Sequence, residues 1–228
     1  MTIRERDIGV GSFEEAAASA TGTAVVIDVF RAFTTGAIAL ANGAARIIMV
    51  GDLDEALGLR DSGAAAYALG ERHGLRPDGF DFGNSPAEIA RHRFDGLTVV
   101  QTTSNGTRGV LAASGARRAF AASLVNARAT ADAILADPIL PISLVAMGDR
   151  GPNRRDEDEI CALYLRALIL GRSPDRTAAA ALTRSMADLQ DTRRLSDADV
   201  AACLQIDTVP FAIRVTQSDG RMIAMCDS

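Results

Sequence analysis

Short apolar or β-branched runs alternate with Ala- and Leu-rich stretches of helical spacing through the first two-thirds of the chain. That alternation restricts it to an α/β fold with a largely parallel sheet. Strands are expected at residues 24–29, 46–50, 65–69, 97–101, 117–121 and 142–147, and helices at 34–42, 53–61, 86–92, 107–114, 126–135 and 156–170. The remainder differs: residues 173–204 read as polar-faced helix, and the runs 210–216 and 221–225 flank Ser218-Asp-Gly as a hairpin would.

Two stretches also resemble one another. Val25-Val-Ile-Asp28 through Arg46 aligns without gaps on Leu97-Thr-Val-Val100 through Arg118, and Ala68-Leu-Gly-Glu-Arg resumes the match as Ala146-Met-Gly-Asp-Arg. The expectation is an internal duplication: two similar three-layer α/β halves, at 20–74 and 95–151, followed by helices and a hairpin at 152–228, all in one compact unit over 1–228. Copies paired about a pseudo-twofold axis would bring their strand-end loops across a single cleft, where ligands of parallel sheets bind.

Composition narrows the function. A net charge of −5 and aromatics at 4% argue against nucleic acid and anionic membranes, which need a positive patch or stacking platforms. Every cation is Arg. Without Lys, a Walker-type phosphate site, a Schiff base and pyridoxal-phosphate chemistry are excluded. Cys161, Cys203 and Cys226 form neither a disulfide framework nor a zinc pattern, and no apolar stretch is long enough to span a bilayer, so a cytoplasmic protein is expected.

Polar residues gather at the expected strand ends. Asp28 follows four apolar residues and precedes Arg31; a carboxylate there can bind Mg²⁺ or act as nucleophile or base, and an Arg fork can hold an anion, although a structural ion pair would look the same. Gln101-Thr-Thr-Ser-Asn-Gly-Thr107 runs into a helix and can offer amides and hydroxyls to an anion, or supply an N-cap. In Gly83-Asn-Ser-Pro-Ala-Glu88, Ser85 and Glu88 read as a capping box, leaving Gly83 and Asn84 for a ligand. Asp156 to Glu159 open a helix, where acids match the dipole or turn inward to a cation. His73 is expected at the cleft and His92 on the surface; Asp52-Leu-Asp54 reads as helix capping.

Taken together, Asp28-Val-Phe-Arg-Ala-Phe-Thr-Thr, Gly70-Glu-Arg, Gly79-Phe-Asp-Phe-Gly-Asn-Ser-Pro, Thr102-Thr-Ser-Asn-Gly-Thr, Ser123-Leu-Val-Asn126 and Glu157-Asp158 resemble the 2-phosphosulfolactate phosphatase family, with a weaker match at Asp207-Thr-Val-Pro. The resemblance implies a Mg²⁺-dependent hydrolysis of (R)-2-phospho-3-sulfolactate to (R)-3-sulfolactate and phosphate, a step of coenzyme M synthesis, in a protein that would form a homodimer. It implies Asp28, Arg31, Glu71 and Asn126 as catalytic residues, with metal ligands among Asp28, Glu157 and Asp158. Arg72, Asn84, Thr103, Asn105, Gly106, Thr107 and Arg150 would bind substrate. Two other readings share the cleft: a phosphatase for another small phosphorylated hydroxy acid, and an anion-binding module without turnover.

Overall fold

The computed structural model describes residues 3–148, 157–187 and 195–227. A short 3₁₀ turn (Glu5–Asp7) leads into β1 (Ile8–Ser12) and α1 (Phe13–Ala18). Next come β2 (Thr23–Ile27), α2 (Ala32–Ala41), β3 (Arg46–Met49), α3 (Leu53–Asp61), β4 (Tyr67–Gly70) and α4 (Pro86–Ile89). These are followed by β5 (Thr98–Thr102), α5 (Gly106–Ala112), β6 (Arg118–Ala122), α6 (Ala127–Ala136) and β7 (Ile142–Ala146). The helices α7 (Glu157–Ile169), α8 (Arg176–Ala187) and α9 (Asp197–Cys203) precede the hairpin of β8 (Ala212–Ser218) and β9 (Arg221–Asp227).

All six expected strands are present, and β1 with α1 is added. β2 is buried at all five positions, as a strand covered on both faces must be. Its Ala24 and Val26 pack in one apolar cluster with α2 and α5, and Val25 and Ile27 in another with α6 and α7. α3 begins where Asp52 accepts the N–H groups of Asp54 and Glu55, the capping expected of that acid. The hairpin turns through Asp219-Gly220, both with positive φ (50° and 75°), the backbone that a two-residue hairpin loop requires.

One nine-stranded sheet runs in the order β1-β7-β2-β6-β8-β9-β3-β5-β4. Its strand order interleaves the two similar stretches: β2 lies between β7 and β6, and β5 between β3 and β4, with all four of these pairings parallel. The hairpin sits between the blocks, antiparallel to β6 on one side and β3 on the other. It is therefore the seam of the sheet rather than an appendage. Because β6, β8, β9 and β3 alternate in direction, the two parallel blocks run in opposite senses, joined by α2 from β2 to β3 and by α5 from β5 to β6.

His92 departs from its expected surface position. It is half-buried, and its ring packs against Tyr67, Phe82 and Phe94 at centroid distances of 5.0, 4.8 and 4.8 Å. Among the described residues no helix is long and apolar enough to cross a membrane.

Candidate active site

The carboxyl ends of β2, β4, β5 and β7 open into a cavity of about 520 Å³ lined by Asp28, Arg31, Glu71, Arg72, Asn84, Asn105, Glu157 and Asp158, with Phe30, Gly51, His73, Gly74, Ser104, Arg108 and Gly148 completing the wall. Strand ends at a change of direction are where a ligand can approach without displacing core.

Three buried acids tie these ends together. Asp28, the residue after β2, accepts the Ala32 N–H at 2.9 Å and so caps α2 from within the pocket. Glu71, the residue after β4, accepts N–H groups from Ser104 and Gly74, each at 2.6 Å, and the Ser104 hydroxyl at 3.2 Å. Asp158, in the first turn of α7, accepts from the N–H groups of Val29 and Gly148, each at 2.7 Å. Each acid thus fixes backbone beside it in space, and two of them reach across from one strand-end loop to another.

Close packing of α2 and α5 fixes Asp28 as well. A Cβ on Gly106 would lie 2.7 Å from the Ala32 Cβ and 2.8 Å from Asp28 Oδ2, too near for any side chain. Gly106 is thereby required where the two helix starts meet.

The acids carry strained electrostatics. Burial raises the Asp28 carboxyl to about 6, Glu71 pushing in the same direction while the Ala32 N–H and Arg31 oppose it. Asp158 is also held well above the ordinary carboxylate range, by burial first and then by the charges of Glu157 and Asp28. Against this stand three guanidinium groups. Arg31 pairs with Asp199 at 3.2 Å and Arg108 with Glu14 at 3.4 Å. Among the described residues, Arg72 is held by neutral oxygens alone, donating to the carbonyls of Glu71 and Gly51 and to Thr102 Oγ1 at 2.8 to 2.9 Å.

The loop after β5 departs from the open anion cradle that its composition suggests. Three of its amides are spent within the protein: Ser104 N–H on Glu71, Thr103 N–H on Thr107 Oγ1 at 2.8 Å, and Thr107 N–H on Thr103 Oγ1 at 3.0 Å. Thr103 and Thr107 are buried and bonded to each other, and neither reaches the pocket wall. Asn105 does reach it, donating to the Gly148 carbonyl at 2.8 Å. Asn126 lies outside the pocket, its amide accepting the Ser123 N–H and donating to the Ala121 carbonyl in the turn before α6. Arg150 lies outside the described residues. Glu88 does not complete a capping box with Ser85; its carboxylate accepts from Gly83 N–H instead and holds the turn that presents Asn84. Among the described residues, the Asn84 Oδ1 is buried and has no hydrogen-bond partner.

Asp207-Thr-Val-Pro210 is also structural, since Asp207 accepts from the Arg128 N–H at the start of α6 and from the Tyr164 hydroxyl. Asp199 is the important residue that sequence reasoning missed. Its only local signal is Ser196 three positions earlier, which reads as a helix N-cap and is one.

The sequence profile of 2-phosphosulpholactate phosphatase matches residues 12–218. The chain belongs to that family. A "Probable 2-phosphosulfolactate phosphatase" of Bacillus subtilis strain 168 is 33% identical over 207 residues, 87% of this chain and 88% of the relative. Proteins of the same name are 38% identical over 189 residues in Prochlorococcus marinus strain MIT 9303, covering 80% of this chain and 74% of that one, and 41% identical over 156 residues in Caldicellulosiruptor saccharolyticus. The last alignment covers 67% of this chain and 64% of the relative, a little under two thirds of its length. Every pocket residue named above lies within the stretch matched by the family.

Proposed function

We propose that this protein is a Mg²⁺-dependent phosphatase that hydrolyses (R)-2-phospho-3-sulfolactate to (R)-3-sulfolactate and phosphate. The observation that carries the reading is the pocket's pairing of buried acids with guanidinium groups at the converging strand ends, within a chain of this family.

The donor set fits a hard divalent cation. Asp28 and Asp158 are buried carboxylates whose charges repel each other, so a cation between them would relieve the cost of burying both. Among the described residues no three acid, His or Cys side chains gather into a complete metal cage. Mg²⁺ keeps waters and takes one or two carboxylates together with phosphate oxygens, a set to which Asp28 and Asp158 could contribute. Asp28 and Asp158 would hold it, with Glu157 beside them. Bound there, Mg²⁺ supplies Lewis acidity toward phosphoryl oxygens.

The chain's own groups do the rest. Arg31 binds a phosphate oxygen and spreads the charge that grows as the ester bond breaks; Glu71 keeps Ser104 and Gly74 in place around it. Arg72, which among the described residues has no carboxylate partner, takes the sulfonate or carboxylate of the substrate. Asn84 Oδ1 accepts from the substrate or its attacking water. Water attacks phosphorus, the bond to the C2 oxygen breaks, and that oxygen leaves with a proton as the hydroxyl of sulfolactate. The same reading places the enzyme in the cytoplasm as a homodimer.

Phosphate release from racemic phosphosulfolactate, with phospholactate alongside, tests this in Mg²⁺ and then in EDTA. Release from the sulfonate substrate that EDTA abolishes is the expected result. Release from phospholactate alone would overturn the substrate, and binding without release from either would overturn the enzyme.

A further inference from the structure

We infer that Asp199, on α9 and distant in sequence from every pocket residue, is the positioning residue that aims Arg31 at the substrate. The inference rests on the phosphatase reading and adds a residue that touches no substrate. Asp199 Oδ2 accepts from Arg31 Nη1 at 3.2 Å across 168 residues of sequence, and Oδ1 accepts from the Ser85 hydroxyl at 2.5 Å and the Ala87 N–H at 3.2 Å. The pair is buried, the side chains of Arg31 and Asp199 being 10% and 4% exposed. On its other side Arg31 Nη2 donates to the Gly74 carbonyl at 3.0 Å, and Gly74 is itself held by Glu71. A long, rotamer-rich side chain is thus fixed at both ends of its fork. Among the described residues two N–H donors are spent on holding it, and the others remain for an anion.

The same carboxylate sets the start of α4. Ser85 donates to Asp199 and accepts the Glu88 N–H at 3.1 Å, so the turn that carries Asn84 is registered against Arg31 through one shared acid. Asp199 therefore sets the spacing of two pocket groups without lining the pocket. An ion pair serving stability alone would not be expected to spend one oxygen on a pocket arginine and the other on the turn beside a pocket asparagine.

Asp199→Asn separates these duties. Its amide oxygen still accepts from Ser85 and Ala87, whereas its NH₂ meets Arg31 donor to donor. A roughly ten- to hundredfold fall in kcat/KM for phosphosulfolactate is expected, in line with the cost of misplacing one group near the reacting centre. A matching loss of affinity for inorganic phosphate, read by calorimetry, should accompany it. The deciding comparison is a cycle with Arg31→Ala: if Asp199 acts through Arg31, the double variant falls within about threefold of Arg31→Ala alone. Ser85→Ala provides a second arm should Asp199→Asn fail to fold; it leaves both charges in place and lowers activity less, and the part of its loss that passes through Arg31 disappears in the Arg31→Ala background. Wild-type protein that neither releases nor binds phosphate would sink the phosphatase reading, and this inference with it. Active wild type, with Asp199→Asn and Ser85→Ala unchanged or with losses that multiply on those of Arg31→Ala, would overturn the positioning role alone.

Discussion

At two strand ends the chain makes the same local bond with different chemistry. After β2, Asp28 accepts the N–H of Ala32; after β5, Thr103 Oγ1 accepts the N–H of Thr107 at 3.0 Å. Both bonds span four residues and both open a helix that crosses between the parallel blocks. The threonine end closes on itself, with the Thr107 hydroxyl returning a bond to the Thr103 carbonyl, and buries no charge. The aspartate end leaves a carboxylate in the pocket at the cost of desolvation. Only the second arrangement can serve a cation or a reacting phosphate, and the pair shows what the function adds to a turn that folds well without it.

Removing the charge should have the largest effect. Asp28→Asn keeps an acceptor for Ala32 and is expected to lower phosphate release by more than about a thousandfold, since an interaction made at the reacting centre is lost; the same variant should unfold at a higher temperature than wild type in EDTA at neutral pH. Full activity in Asp28→Asn would erase the distinction between the two ends. Gly106→Ala comes next: its Cβ would press on Ala32 and Asp28 together, so a stability loss of about 1–3 kcal/mol and a fall in turnover should appear in denaturant melts and kinetics. Thr107→Val strands the buried Thr103 N–H and should cost about 1–3 kcal/mol in stability with less than tenfold in kcat, sharpening the contrast between a structural and a chemical end.

The last expected effect is on the pH dependence of stability. Asp28 is raised from 3.8 to about 6 on folding, so the native state holds the proton more tightly than the unfolded chain does. Stability is then greatest in acid and declines as pH rises from about 4 to past 6, by on the order of 3 kcal/mol. Chelator-treated wild type should show that slope in urea titrations, and Asp28→Asn should show a shallower one. Equal slopes would mean that Asp28 carries no burial cost.

The regular elements were legible because their signals are local. Asp52 before α3 and Asp219-Gly220 in the hairpin each determine structure through their own backbone. β1 was missed, its Gly9 and Gly11 diluting the apolar alternation that marks a strand. Of the site, Asp28, Arg31, Glu71, Arg72, Asn84, Asn105, Glu157 and Asp158 were readable and line one cavity. Thr103, Thr107 and Asn126 were not separable from them, because a polar residue that satisfies a turn and one that faces a ligand look alike until hydrogen-bond partners are known. Asp199 was hidden for the opposite reason: its partners are remote, and nothing near it in sequence carries their signature. The interleaving of the two similar stretches likewise depends on long-range pairing that no local pattern encodes.

The hairpin at the seam has a consequence for synthesis. β8 and β9 emerge from the ribosome after every pocket residue, yet they supply the only strands through which the two parallel blocks of the described sheet are hydrogen-bonded. Until they arrive, the nascent chain exposes the inner edges of β6 and β3, unpaired and apolar, the kind of template that recruits neighbouring chains. This hairpin, made after the pocket, is therefore also the guard against misassociation, and cutting it away would spare the chemistry on paper while exposing the edges that make a partly built sheet prone to aggregate.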